Sequence, residues 1–147
     1  MDRKGGRVFS DEIWLPLVFD GKQHISYASI GEKTAGHTVT ATAASKAFNL
    51  PGMKCAQLIT SNDADQEKWL DVGFLAMHGA ANLGLVATAA AFDHGKEWFG
   101  DVLAYLQRNR DDLIAFVEQR LPHAKVTHPE GTYVAWLDFS AYDLGPE

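Results

Sequence analysis

Apolar and polar positions alternate or cluster along this chain in a way that names most of its elements. Arg7 to Ile13 (RVFSDEI) is a short apolar run ending in two carboxylates, the pattern of a buried strand with polar residues at its carboxyl end. Pro16 stops any helix there, Asp20-Gly21 marks a turn, and Gly31 to Gly36 reads as a loop. Thr38 to Thr42 (TVTAT) is rich in β-branched residues and predicts a strand. Ala43 to Gly52 breaks it, with Pro51-Gly52 as a turn, and Cys55 to Thr60 predicts a third strand. Ser61 or Asn62 is placed to cap a helix whose first turn holds Asp63 and Asp65. That helix runs past Trp69 and Leu70 and breaks near Gly79. A second covers about Ala80 to Phe92, closed at Asp93-His94-Gly95.

The longest helix is predicted from Lys96 to Leu121. Trp98, Phe99, Val102, Leu103, Leu106, Leu113, Phe116, Val117 and Leu121 recur in steps of three and four and form one broad stripe. Pro122 ends it. A strand at Lys125 to Thr127, a turn at Pro129-Glu130-Gly131 and a strand at Thr132 to Asp138 complete the pattern. The order predicts an α/β layer followed by the start of a smaller α+β unit. A mostly parallel sheet needs more strands than are present, so the chain reads as a piece of something larger.

Composition narrows the function classes. A formal net charge of −6 argues against nucleic acid or an anionic membrane as the main partner. The lone Cys55 permits no internal disulfide, which suits a reducing cytoplasm. The start of the chain lacks the apolar segment of a signal peptide. Phe74 to Phe92 carries no formal charge over 19 residues. Its alanines, glycines, His78 and Asn82 favour a buried or half-buried helix over a membrane span. The histidines show no metal-ligand spacing, and no metal is expected.

Three charged positions carry candidate chemistry. Lys46 follows a strand among small residues, where loss of solvation favours a neutral, nucleophilic amine; a solvated loop lysine is the plainer alternative. Asp11 and Glu12 sit at the carboxyl end of the first strand, where open α/β sheets hold ligands, or else simply cap the next segment. Lys54 returns across the Pro51-Gly52 turn and can meet an anion, or stay solvated.

Together, Ser10-Asp11-Glu12-Ile13, Ser45-Lys46-Ala47-Phe48-Asn49-Leu50-Pro51-Gly52 and Glu130-Gly131-Thr132-Tyr133 resemble the fold-type I, class I/II aminotransferases. Within these they are most similar to the cystathionine β-lyase-like C–S lyases. The likeness runs over essentially the whole chain. It implies residues 1–95 as part of the large domain that binds pyridoxal 5'-phosphate (PLP), and 96–147 as the long helix and start of the small carboxy-terminal domain. It implies that Lys46 bonds covalently to PLP and acts as general base at the substrate Cα. Asp11 would pair with the protonated ring nitrogen, Ile13 would pack on the ring, and Ser45 and Lys54 would bind the phosphate. Trp14 stands where relatives often carry tyrosine; an indole N–H donates but cannot accept. Ala43 stands where they often carry serine or threonine. The family also uses an amino-terminal half and a partner subunit, which implies a homodimer. The implied activity is β-elimination on an amino acid such as cystathionine; an aminotransferase, or an inactive piece that needs another chain, are the alternatives.

Overall fold

The computed structural model describes residues 4–145; the polar start at Met1–Arg3 and the closing Pro146-Glu147 lie outside the described residues. The chain packs as two units, residues up to Pro16 with Gln23–Glu97, and Leu17–Lys22 with residues from Trp98 onward. The expected division after residue 95 treats the units as consecutive stretches, whereas the short segment Leu17–Lys22 packs with the carboxy-terminal one.

The first unit is built on a three-stranded sheet in the order β1 (Val8–Asp11), β2 (Thr38–Thr42), β3 (Gln57–Thr60). β1 and β2 run parallel, with Ser10 opposite Thr40 and Asp11 opposite Ala41. β2 and β3 run antiparallel, so the expected mostly parallel sheet has one parallel and one antiparallel pairing among the described residues. The residues between these strands, Ala43 to Ala56, wind through two short helical turns and return the chain beside β2 in the opposite direction.

β2 forms where its β-branched residues suit the pleat, and it buries Thr38 and Thr40 completely or nearly so. β1 departs from expectation. It is shorter than Arg7 to Ile13, and it lies at the sheet edge with alternate residues turned outward rather than buried. Phe9 is 65% exposed. An apolar run cannot by itself tell an internal strand from an edge strand.

Between the strands lie α1 (Glu32–Ala35) and α2 (Ala44–Ala47). α3 (Asp63–Val72) is capped by Asn62, whose side-chain oxygen accepts the Asp65 N–H at 2.9 Å. It stops at Gly73, earlier than the predicted break. The short α4 (Phe74–Met77) follows, then α5 (Asn82–His94). Among the described residues no helix is long and apolar enough to cross a membrane.

The second unit centres on α6 (Lys96–Arg120), close to its predicted span. Val117 from its stripe is buried, as are Leu17 and Phe19, while Phe116 is 58% exposed. Val18 bridges Gly131, and Thr132 N–H donates to Leu17 O at 2.8 Å. β4 (Lys125–Val126) and β5 (Leu137–Asp138) pair antiparallel. The expected strand from Thr132 is thus confined to its end. Thr132 has a left-handed backbone (φ 66°) and its hydroxyl accepts from Val134 N–H, which turns the chain out of a ladder.

Candidate active site

Parallel pairing brings the carboxyl ends of β1 and β2 side by side, and the candidate residues sit on the turns leaving them. Asp11 lies at the end of β1, in register with Ala41. Its carboxylate is exposed and accepts the Ile13 N–H at 3.2 Å, fixing the first step of the following turn. Trp14 is on that turn. Beyond β2 the chain extends through Ala43 and winds into α2, which carries Ser45 and Lys46. Ala43, Ala44 and Ala47 are buried, so only small side chains pack under this turn. The half-buried Lys46 is thereby turned away from the packed side, and its Nζ lies 5.1 Å from the centre of the Trp14 ring. This is a cation–π distance.

A 3₁₀ turn at Pro51–Met53 then leads to Lys54, whose φ is 47°. Ser45 O accepts the Leu50 N–H at 3.0 Å, and Lys54 O accepts the Ala81 N–H at 3.2 Å, so both ends of this excursion are tied down. Lys54 is exposed; among the described residues no hydrogen bond or ion pair joins its side chain to Asp11 or Lys46. The fold thus brings Asp11, Trp14 and Lys46 to one end of the sheet with Ile13 and Ser45 beside them. Lys54 is tethered to the head of α5.

The two carboxylates that the sequence left as equals are separated by the strand's alternation. Glu12 turns inward, with its side chain 5% exposed. It accepts hydrogen bonds from Ser10 Oγ (2.9 Å), Ser26 Oγ (3.0 Å) and Tyr27 N–H (3.1 Å), and pairs with His24 Nε2 (2.9 Å). Burial pushes its pKa up, but the hydrogen bonds from His24, Ser10, Tyr27 and Ser26 outweigh that and hold it below its ordinary value. Sequence reasoning offered Glu12 beside Asp11 as a ligand-holding carboxylate and did not single it out as the buried one. The period-two spacing of Ser10 and Glu12 was the available signal.

A second cluster was not foreseen. In the carboxy-terminal unit Arg110 is 8% exposed and forms a bidentate pair with Asp20 (2.7 and 3.0 Å). It also bonds Asp111 and lies 5.0 Å from the Phe19 ring centre. A cavity of about 150 Å³ borders it, lined mainly by apolar side chains including Leu106, Leu113, Ile114 and Val134. No local pattern links a residue to a partner 90 positions away. Among the described residues no group of three or more acidic, histidine or cysteine side chains is placed to hold a metal ion.

Comparison with known families decides the placement of the chain. The family model for aminotransferase class I and II matches residues 1–144. The chain belongs to this family. A cystathionine beta-lyase of Corynebacterium glutamicum is 38% identical over 91% of the chain and 36% of its own length. The cystathionine beta-lyase PatB of Bacillus subtilis is 33% identical over 95% of the chain and 36% of its own length. Among solved structures, a PLP-bound C-S lyase from Staphylococcus hominis superposes with a TM-score of 0.81 at 34% identity, over 93% of the chain and 34% of its own. The chain spans about a third of the length of the curated relatives it matches. For this class I and II aminotransferase segment, the expected fold class is that of its structural neighbours.

Proposed function

We propose that this chain is the lysine-bearing segment of a PLP-dependent C–S lyase that carries out β-elimination on an L-cysteine S-conjugate such as cystathionine. The observation that carries it is Lys46: an amine on a turn of buried alanines, beside Trp14, at the sheet end where Asp11 lies in register. That donor set fits PLP. The cofactor needs an amine for its aldehyde, an anion for its ring nitrogen, a surface for its ring and cations or donors for its phosphate. In this reading Lys46 Nζ holds the cofactor and takes the substrate Cα proton. Asp11 keeps the ring nitrogen protonated. Ile13 and Trp14 border the ring, and Ser45 Oγ and Lys54 Nζ meet the phosphate. When bound, PLP supplies an electron sink for the carbanion at Cα. Overall, water and the conjugate give a thiol, pyruvate and ammonia. We place the protein in the cytoplasm as a homodimer, in keeping with its single cysteine and the partner subunit that the family resemblance implies.

The test is an absorbance spectrum of the purified chain with PLP, before and after borohydride reduction, beside Lys46→Ala. We expect a band near the visible edge that reduction makes permanent, with the added mass on Lys46 and no band in the variant. No band in the unmodified chain would sink the reading for the isolated chain and leave family membership standing. With cystathionine added, pyruvate and free thiol mark elimination. An amino acid made from an added keto acid would mark transamination instead.

A further inference from the structure

One buried side chain at the end of β1 has no role in the chemistry above. Besides its four side-chain partners, Glu12 donates its N–H to Ala41 O at 2.8 Å, and its carbonyl accepts from Leu15 N–H (3.0 Å) and Thr42 Oγ1 (3.4 Å). This single residue therefore ties β1 to β2, to the segment His24–Tyr27 and to the turn that bears Trp14. Its chain neighbours are Asp11 on one side and Ile13 and Trp14 on the other. A carboxylate oxygen only accepts, so Glu12 can satisfy four converging donors at once, which an apolar side chain of similar size cannot. Asp11, by contrast, is exposed and accepts only a local hydrogen bond from Ile13 among the described residues, which does not anchor it to the rest of the fold.

We propose that Glu12 is a positioning residue: by locking the end of β1 to the His24–Tyr27 segment it sets Asp11 and Trp14 against Lys46. This rests on the reading of Lys46 and Asp11 as the cofactor site. Among the described residues no side-chain hydrogen bond joins Ser10, His24, Ser26 or Tyr27 to Asp11 or Lys46; they act through Glu12.

The test compares Glu12→Leu, Glu12→Gln and Val117→Ala in the full 147-residue chain. PLP affinity is read by absorbance titration. The Trp14–Lys46 contact is read by the ring-current shift of the Lys46 ε-methylene in NMR. We expect Glu12→Leu to weaken PLP binding about tenfold and to abolish the shift. Glu12→Gln keeps one carbonyl oxygen for Ser10, Ser26 and Tyr27, and its amide can donate to the other tautomer of His24. It should stay within about threefold of the unmodified chain. Val117→Ala weakens packing in the other unit and should change neither readout. A folded Glu12→Leu with unchanged affinity and shift would overturn the proposal, and so would equal losses in Val117→Ala. If Glu12→Leu does not fold, Ser26→Ala decides, with about threefold weaker binding supporting the proposal and no change overturning it. If the unmodified chain binds no PLP, the site reading fails and the ring-current shift alone judges the positioning role.

Discussion

Asp11 and Glu12 are adjacent in the chain and have opposite fates, because a strand sends successive side chains to opposite faces. Asp11 stays exposed at the sheet end, and Glu12 is buried under four hydrogen-bonding partners. Donors gathered on Glu12, and on Asp20 in the other unit, set a pH dependence. Hydrogen bonds outweigh burial and lower Glu12 from its ordinary value of 4.5, and the Arg110 guanidinium lowers Asp20 from 3.8. A carboxylate whose pKa is lowered on folding contributes stability above its unfolded value, and that contribution is lost as pH falls through the folded one. The melting temperature should therefore drop as pH goes from about 5 to about 3. In Glu12→Gln and Asp20→Asn the drop should be shallower, measured by circular dichroism. Equal slopes in all three proteins would refute this account of acid sensitivity.

At the scale of elements, glycine decides how closely α5 meets the turn before β3. A Cβ on Gly84 would lie 2.2 Å from Met53 O and 2.9 Å from Cys55 Cβ, both firmly held atoms. Gly84→Ala should thus destabilise by about 1–3 kcal/mol in chemical denaturation, although alanine is the better helix former. A neutral or stabilising result would show that this approach is loose. The Asn62 cap was legible because residue type, position and the carboxylates after it all agree. The break at Gly73 was not legible: Gly73 caps α3 with its N–H on Trp69 O, at a place where a Cβ would meet the Trp69 ring, and a lone glycine in a helical pattern does not announce that. Likewise Thr132 to Asp138 has the composition of a strand, yet the bridge from Val18 to Gly131 and the left-handed Thr132 divert it.

For the whole molecule, the exposed apolar surface is the dominant property. Leu75 is 83% exposed, Leu83 74% and Val86 68%, on α4 and α5, and Phe9 lies outward on the edge strand β1. Such surfaces and unpaired strand edges favour association. Sedimentation of the purified chain should show concentration-dependent self-association, and Phe9→Lys should reduce it by placing a charge on the edge. A monomer at every concentration would contradict this. The apolar faces of Phe74 to Phe92 and of the long helix were expected from the sequence.

What the sequence determined by itself was local or carried by motif: the spans of β2 and α6, the Asn62 cap, and the strings around Asp11, Lys46 and Gly131. Short-range sterics, side-chain period and capping chemistry act within a few residues and leave their mark there. Only the tertiary structure decided what depends on residues far apart. It turned Glu12 rather than Asp11 inward, reversed β3 against β2, laid Lys46 over the Trp14 ring, and paired Arg110 with Asp20. Each of these follows from which surfaces are buried together, and burial is a property of the packed chain.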